Sequence, residues 1–216
     1  MVTTAPVAHD VVRPVPPGAE RPAPAVGVLG LQGAVAEHLR ALQAAGARVR
    51  TVRRPQELEG LDGLVVPGGE STTMARLAAP VGLFEAVREA HEAGMAVFGT
   101  CAGLILMAET VVDAAALEGF PRIGGLDVVV RRNGYGSQLD SFSTELDVSG
   151  MEGALPAVFI RAPLVEAVAE PVDVLASVRG RAVVVRQGRM LGASFHPELT
   201  ADTRLHDLFV AMAADR

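Results

Sequence analysis

Short apolar segments and amphipathic segments alternate along the first half of the chain. Strand-like segments lie at residues 26–29, 48–52, 61–66 and 95–98. Helical spacing of apolar residues predicts helices over 34–45 and 83–92, each ended by a glycine, and a third helix from about residue 102. Strands that alternate with helices through short connections predict a parallel sheet covered by helices on both faces.

The second half of the chain has a different pattern, with little helix between its strand-like segments. These segments lie at residues 126–130, 143–146, 157–160, 172–178, 182–186 and 190–194. Such a succession predicts hairpins or a mixed sheet edge. A final helix is predicted over about residues 201–213.

The opening of the chain differs from the rest in composition. Six of the 14 prolines come before Ala25. Because proline fixes φ and removes a hydrogen-bond donor, residues 1–24 are predicted to form a flexible, extended tail. Residues 25–216 are predicted to form one folded domain, since a chain that is 50% hydrophobic can build one substantial core.

Composition also excludes several classes of function. A net charge of −6, one tyrosine and no tryptophan make nucleic-acid binding a poor fit. No apolar run approaches the ~18 residues of a membrane-spanning helix, and the N-terminus lacks the pattern of a secretory signal. The single cysteine excludes an internal disulfide and a multi-cysteine metal site. We therefore expect a protein of a reducing compartment, the cytoplasm.

The sharpest local feature is a cysteine framed by glycines. A predicted buried strand leads into Gly99-Thr100-Cys101-Ala102-Gly103 and then into an apolar helix. This is the nucleophile-elbow pattern with cysteine in place of serine. The turn holds Cys101 at a helix N-terminus, where backbone N–H groups favour the thiolate. A lone cysteine is more often buried and inert, but this setting favours a nucleophile.

A nucleophilic cysteine needs a base, and the chain has five histidines. His196 follows an apolar strand and precedes Pro197-Glu198. In extended chain, residues i and i+2 point to the same side, so Glu198 is placed to hold one imidazole nitrogen while the other faces the thiol. The other histidines lie in the tail or in predicted helices, where we expect ordinary surface or helix-face residues: His9, His38, His91 and His206.

A glycine-containing turn closes the third strand, at Pro67-Gly68-Gly69-Glu70-Ser71-Thr72-Thr73. Glycines let backbone N–H groups approach a bound group closely, as an oxyanion hole requires. The turn is not a Walker loop, because no Gly-Lys-Ser/Thr follows. A plain strand-to-helix turn capped by Ser71 or Thr72 fits the same residues equally well.

Two further patterns are weaker. The run at residues 27–33 resembles a dinucleotide-binding loop, but its glycine spacing is wrong and the second strand ends in Arg53-Arg54 instead of an acidic residue. NAD is therefore strongly disfavoured, and NADP somewhat less. Arg132 and Arg161 both follow apolar strands, where a guanidinium can hold a carboxylate through two hydrogen bonds, although most such arginines are solvated edge residues.

Together these segments resemble the class I, triad-type glutamine amidotransferases, and more closely the glutaminase subunits of pyridoxal 5'-phosphate synthases. The resemblance covers residue 26 to the C-terminus; the tail is extra, and residues 112–122 look slightly long. It is carried by Gly-Val-Leu-Gly-Leu-Gln-Gly-Ala at 27–34, Pro-Gly-Gly-Glu-Ser-Thr-Thr-Met at 67–74, Gly-Thr-Cys-Ala-Gly-Leu at 99–104, Asp-Ser-Phe at 140–142, Phe-Ile-Arg-Ala-Pro at 159–163 and Ser-Phe-His-Pro-Glu-Leu-Thr at 194–200.

The resemblance implies a fold and a site. The fold is a three-layer, flavodoxin-like α/β fold, with a mostly parallel central sheet flanked by helices and an antiparallel or mixed edge. Cys101 is implied as the nucleophile, His196 as the base and Glu198 as its orienter, with the N–H groups of Ala102 and Gly69 as the oxyanion hole. The family pattern places L-glutamine on six residues: Gly69, Glu70, Ser71, Arg132, Ile160 and Arg161.

The implied reaction is hydrolysis of L-glutamine to L-glutamate and ammonia through a cysteine thioester. The implied partner is a synthase subunit that uses the ammonia, with ribose 5-phosphate and glyceraldehyde 3-phosphate, to build pyridoxal 5'-phosphate (vitamin B6) in a large ring-shaped hetero-oligomer. The chain itself is expected to need no cofactor and no metal. Three alternatives stay open: a glutaminase for another synthase, such as that making imidazole glycerol phosphate; a catalytically silent subunit; and a nucleotide-binding reductase.

Overall fold

A computed structural model describes residues 22–132 and 141–215. Nearly all of the predicted tail and Asp140 of the 140–142 motif lie outside the described residues. The strands are β1 (Ala25–Leu29), β2 (Arg48–Val52), β3 (Gly63–Val66), β4 (Ala96–Thr100), β5 (Ala108–Val111), β6 (Leu126–Arg131), β7 (Ser141–Leu146), β8 (Leu155–Ile160), β9 (Leu164–Val168), β10 (Asp173–Val178), β11 (Arg181–Gln187) and β12 (Met190–Ala193). The α-helices are α1 (Val35–Ala44), α2 (Ser71–Ala78), α3 (Leu83–Glu92), α4 (Ala102–Met107) and α5 (Arg204–Ala214).

The central sheet has seven strands in the order β10-β11-β12-β4-β3-β1-β2. The strands from β12 to β2 in this order are parallel to their neighbours, whereas β11 and β10 form an antiparallel edge. The predicted α/β class, with a mostly parallel sheet and an antiparallel edge, is confirmed. Two smaller sheets, β5-β6-β9 and β7-β8, lie outside the central one.

Two apolar cores lie on opposite faces of the central sheet. Because successive strand residues point to opposite faces, Leu64 and Val66 of β3 enter one core and Val65 enters the other. The first core is closed by α2, α3, α4 and the β5-β6-β9 sheet, and the second by α1, α5 and the β7-β8 sheet. This arrangement gives the three layers that were predicted.

The central strands were predictable because they are buried on both faces. Every residue of β3, β4 and β12 is buried, so each appears in the sequence as a continuous apolar run. The short strands β5 and β9 were not predicted, and α2, whose first turn is polar, was present only in the alternative of a strand-to-helix turn after β3. Residues 112–122 contain a 3-10 helix, Ala114–Leu117, that places Leu117 in the first core.

The final helix begins later than predicted. The side chain of Asp202 accepts a hydrogen bond from the backbone N of Arg204 at 3.0 Å, and α5 starts there. Within the two described ranges, no helix has the length and apolar character needed to cross a membrane.

Candidate active site

Cys101 lies on the turn between β4 and α4. Its φ of 48° and ψ of −103° fall where residues other than glycine are rarely found. Such strain is typical of a nucleophile elbow, as the Gly-x-Cys-x-Gly motif predicted. The backbone N of Cys101 donates to the carbonyl oxygen of Ala193 at 2.8 Å, which fixes the turn against the end of β12.

The two glycines of this motif are required by close backbone packing. A Cβ on Gly103 would lie 2.0 Å from the carbonyl oxygen of Val66, and one on Gly99 would lie 2.6 Å from the carbonyl carbon of Gly103. Helix α4 therefore packs directly on the backbones of β3 and β4. The position of the thiol is set by this contact.

His196 and Glu198 come together after β12. Nδ1–H of His196 donates to Oε1 of Glu198 at 2.8 Å, and interaction with the thiol of Cys101 contributes to the raised pKa of the imidazole. The predicted contact between the two residues is present. The extended backbone assumed for it is wrong, because Glu198 lies in a 3-10 helix, Pro197–Leu199, whose tight turn brings the carboxylate back to the ring.

The surroundings of His196 favour its charged form. Burial lowers the pKa of His196, but hydrogen bonds with Cys101 and Glu198 and attraction to their negative charges outweigh burial and raise the pKa to about 10. The side chain of His196 is 12% exposed, and that of Glu198 is fully buried. The geometry therefore supports a charged imidazole that lies between the thiol and a shielded carboxylate.

A cavity of about 330 Å³ opens beside the thiol. Its size suits a small polar ligand. All six residues predicted to hold glutamine line it, together with both predicted oxyanion-hole residues and two members of the triad: Gly69, Glu70, Ser71, Arg132, Ile160, Arg161, Ala102, Cys101 and His196. A larger cavity of about 480 Å³ lies elsewhere, and the guanidiniums of Arg88 and Arg122 on its wall donate to backbone carbonyls.

One wall of the 330 Å³ cavity is an ion pair. Nη2 of Arg132 lies 3.1 Å from Oε1 of Glu70 and donates to the hydroxyl of Thr72 at 3.3 Å. The carboxylate of Glu70 also accepts from the backbone N of Thr72 and Thr73, so Glu70 caps α2 and the predicted cap by Ser71 or Thr72 is wrong. Burial raises the pKa of Glu70, but the hydrogen bonds from Thr72 and Thr73 outweigh it and lower the pKa below its usual value.

The opposite wall comes from the end of β8. The carbonyl oxygen of Ile160 lies 4.0 Å from Sγ of Cys101, and Arg161 follows with a φ of 44°. The backbone N of His196 donates to the carbonyl oxygen of Val158 at 2.9 Å. Strand β8 is thus joined to the segment that carries the base, although it belongs to a separate small sheet.

The glycine turn after β3 lies against the imidazole. A Cβ on Gly68 would lie 2.4 Å from Cε1 of His196. The backbone N of Glu70 donates to Oε1 of Gln32 at 3.0 Å, and Gln32 also lines the cavity. Sequence reasoning missed Gln32 when it rejected the dinucleotide loop. Its place in the Gly-Leu-Gln-Gly motif that carries the family resemblance was the available signal.

Two further histidines lie behind the triad. His38 and His206 lie on faces of α1 and α5, as one half of the expectation held, but both are fully buried, so a surface position is wrong for them. Helices α1 and α5 turn these residues toward the sheet. Each lies four positions from a residue of the same core, Leu42 or Val210, and this helical spacing was the signal that could have found them.

A strained cysteine, an imidazole and a buried carboxylate beside a cavity are the parts of a cysteine-dependent triad enzyme on an α/β sheet. The chain belongs to the SNO glutamine amidotransferase family, whose model matches residues 28–215. The family resemblance inferred from the sequence is confirmed.

Among known proteins, the chain is similar to pyridoxal 5'-phosphate synthase subunits named PdxT. It is 58% identical over 189 residues to that of Parafrankia sp. (strain EAN1pec), a match covering 87% of this chain and 92% of the relative. It is 53% identical over 191 residues to that of Mycolicibacterium vanbaalenii, covering 88% and 97%. A crystal structure of a glutamine amidotransferase matches with a TM-score of 0.82 at 47% identity, over 87% of this chain and 98% of that one.

Proposed function

We propose that the chain hydrolyses L-glutamine to L-glutamate and ammonia, as the glutaminase subunit of a pyridoxal 5'-phosphate synthase. The observation that carries this proposal is the arrangement of Cys101, His196 and Glu198 beside a 330 Å³ cavity, in a chain 58% identical to a PdxT subunit. The reaction needs a nucleophile, a proton carrier and a site for an amino acid, and the described residues supply a candidate for each.

The proposed reaction begins with attack of the Cys101 thiolate on the carboxamide carbon of glutamine. The N–H groups of Ala102 and Gly69 stabilise the oxyanion, and loss of one such donor costs ~3–4 kcal/mol, or about 10²–10³ in rate. His196 protonates the departing ammonia. The same imidazole then activates the water that hydrolyses the thioester, while Glu198 holds Nδ1 protonated so that the other nitrogen faces the sulfur.

The cavity walls offer complementary charges to an amino acid. The guanidinium of Arg132 suits the α-carboxylate of glutamine, and the carboxylate of Glu70 suits its α-ammonium group. The two side chains are paired at 3.1 Å, and both line the cavity. Ser71, Ile160 and Arg161 complete the proposed glutamine site.

The deciding experiment is glutamate release by the wild type and by Cys101→Ala, each measured with and without a synthase subunit. We expect release by the wild type and none by the variant, and activity retained in the variant would reject the nucleophile. Wild-type protein without glutaminase activity would support the silent-subunit alternative.

The partner is tested separately, by pyridoxal 5'-phosphate formation from glutamine, ribose 5-phosphate and glyceraldehyde 3-phosphate. Ammonia transfer to an imidazole glycerol phosphate synthase instead would identify the other partner. We also propose that docking of the synthase subunit orients the peptides of the Gly68–Glu70 turn and thereby activates glutamine hydrolysis. Equal rates of glutamine hydrolysis with and without the synthase subunit would contradict this activation. A ring-shaped assembly and a cytoplasmic location stay predictions, to be checked by electron microscopy and by fractionation.

A further inference from the structure

A hydrogen-bonded chain of side chains runs from the triad into the second core. Nε2 of His38 lies 3.2 Å from the hydroxyl of Thr100 and 3.4 Å from Oε2 of Glu198. On its other side, Nδ1 of His38 lies 3.0 Å from Nε2 of His206. The chain joins α5 and α1 to the end of β4, next to Cys101, and to the carboxylate that holds the base.

Every member of this chain is shielded from water. His38, Thr100 and His206 are 0% exposed, as is the side chain of Glu198. The ring of Phe98 packs edge-on against both imidazoles, with centroids 6.5 and 5.9 Å away. Polar groups in such a setting must find partners within the protein.

Two buried atoms of these side chains have no hydrogen-bond partner among the described residues: Oε2 of Glu198 and Nδ1 of His206. Oε1 of Glu198 accepts from His196, and Nε2 of His38 approaches Oε2 to 3.4 Å. The 3.4 Å separation is longer than a standard hydrogen bond. A proton on Nε2 of His38 would face both the hydroxyl of Thr100, at 3.2 Å, and Oε2 of Glu198.

Both imidazoles are neutral at neutral pH. Burial, followed by the charges of His206 and His196, lowers the pKa of His38 well below its usual value. Burial likewise lowers the pKa of His206, to about 4. Each ring thus has one N–H and one bare nitrogen, and the order of protons along the chain must be consistent.

Only one order of protons leaves no buried donor unpaired. If Nε2 of His206 donates to His38, then His38 donates from its own Nε2 toward Thr100 and Glu198, and the unpartnered Nδ1 of His206 is a bare acceptor. In the reverse order, Nδ1 of His206 is an unpaired buried N–H, and a bare nitrogen of His38 faces the carboxylate. Burying an unpaired donor is costly, so the first order is favoured.

We propose that His38 is a positioning residue of the triad, which directs its Nε2–H at Glu198 and Thr100 and is itself oriented by the N–H of His206. This inference rests on the proposed function. The proposal gives Oε2, the second carboxylate oxygen of Glu198, a partner in His38. The carboxylate must stay fixed while the charge of His196 changes during the reaction. Through Thr100, the same N–H links the acid to the residue that precedes the nucleophile.

The test uses a matched pair of substitutions, His38→Met and His38→Gln, in the full chain assayed with its synthase subunit. Methionine and glutamine have similar size, but only glutamine offers a donor toward Glu198 and an acceptor toward His206. We expect His38→Met to lower kcat about 10–100-fold, as loss of supporting contacts typically does, with KM changed less than about twofold. His38→Gln should recover most of that loss.

Two measurements separate positioning from folding. Thermal unfolding should show both variants folded at the assay temperature, with the Met variant the less stable because it leaves the N–H of His206 unpaired. The same pair at His91, a histidine outside the site whose Nδ1 lies 2.9 Å from the carbonyl oxygen of Met95, should leave kcat unchanged. Equal kcat in His38→Met and wild type would overturn the proposal. Equal loss in the Met and Gln variants would also overturn it, since the lost contact would not be a hydrogen bond.

A spectroscopic measurement tests the proton order without activity. Imidazole ¹⁵N spectra of the labelled wild type should show His38 and His206 protonated on Nε2 alone. Protonation of either ring on Nδ1 would overturn the proposal, even where the variants fail to fold. If these spectra are as expected but the wild type releases no glutamate, the proposed function fails and the hydrogen-bonded chain stands as a structural feature.

Discussion

Glu198 has a histidine on each side, and the two histidines behave in opposite ways. On the cavity side, His196 lies 2.8 Å from Oε1 and has a pKa raised to about 10. On the core side, His38 lies 3.4 Å from Oε2 and has a pKa lowered well below its usual value. One carboxylate is therefore shared by an imidazole that takes up a proton and another that does not.

The difference teaches that a carboxylate alone does not decide the charge of a histidine. His196 also meets the thiol of Cys101 and is 12% exposed at its side chain, whereas His38 meets a neutral imidazole and is fully buried. A second negative partner and partial access to water favour the charged form on the cavity side. On the core side, His38 packs against His206 and Phe98 away from water, and this disfavours its charged form.

The largest expected effect on kcat comes from Cys101→Ala, which removes the thiol that partners His196 in addition to Glu198. Loss of the nucleophile should lower kcat at least about 10⁴-fold, measured as glutamate release. The pKa of His196 should also fall from about 10, because burial then opposes Glu198 alone. A titration of the ring followed by NMR checks this, and an unchanged pKa would show that the thiol does not charge the imidazole.

This substitution should also change how stability depends on pH. His196 has a folded-state pKa above its unfolded value of 6.5, so its contribution is complete below pH 6.5 and is lost as the pH rises through about 10. Between pH 6.5 and about pH 10, the free energy of unfolding of Cys101→Ala should therefore fall less than that of the wild type. Denaturant unfolding at a series of pH values measures the difference.

The next effect concerns the core side and has the opposite sign. The pKa of His206 is lowered to about 4, so its contribution is complete above pH 6.5 and is lost as the pH falls toward 4. A shift from 6.5 to about 4 corresponds to up to about 3 kcal/mol of unfolding free energy. His206→Gln should flatten the acid limb of the stability curve, with wild type as the reference. Parallel acid limbs would contradict a neutral, buried His206.

How much of this contrast the sequence could predict depends on where each signal lies. The nucleophile was predictable, since Gly99 and Gly103 frame Cys101 within a few residues. The contact between His196 and Glu198 was predictable from their spacing, although the turn that makes it was not. The residues of each of these patterns lie within a few positions of one another, so each pattern can be recognised in a single sequence.

The rest depends on tertiary packing. His38 and His206 are buried because α1 and α5 face the sheet, and their contact spans 168 positions of sequence. At the end of β8, Arg161 was singled out because it follows an apolar strand, but Ile160 was predicted by family resemblance alone, since no local pattern indicates that its carbonyl oxygen lies 4.0 Å from a thiol. Helix α2 was given no bounds because its first turn is polar, and its cap is Glu70 instead of the Ser71 or Thr72 of the strand-to-helix alternative.

A third test crowds the cavity side without changing any charge. In Gly68→Ala the new methyl group would lie 2.4 Å from Cε1 of His196, so the ring must move. Displacement of a catalytic group by about 1 Å can cost 10²-fold, and we expect a loss of kcat of about that size. Gly46→Ala is the control, because no atom lies within 4 Å of its Cβ position while its φ of 86° makes alanine strained.

Gly46→Ala should lower Tm and leave kcat unchanged, whereas Gly68→Ala should lower kcat about 10²-fold whatever its effect on Tm. An unchanged kcat in Gly68→Ala would show that the imidazole of His196 can move without loss of activity. The fixed geometry inferred for the cavity side would then be wrong. Equal losses of kcat in both variants would point to general destabilisation.

The smallest effect concerns the cavity wall, and it tests whether the ion pair there serves the ligand. Arg132→Met removes a guanidinium whose side chain is 15% exposed and paired with Glu70, and Arg131→Met removes its neighbour, which is 44% exposed and paired with Glu166. A hydrogen bond to a charged group is worth about 1.5–3 kcal/mol, so Arg132→Met should raise the KM for glutamine at least about tenfold, with a smaller change in kcat.

Arg131→Met should leave both constants nearly unchanged, because an exposed ion pair contributes about 0–1 kcal/mol. Initial rates over a range of glutamine concentrations separate the two variants. If both raised KM equally, the effect would come from net charge and not from a contact with the substrate. If neither did, Arg132 would serve only to hold Glu70 at the start of α2, and the α-carboxylate of glutamine would have to bind elsewhere, with Arg161 as the remaining arginine of the cavity wall.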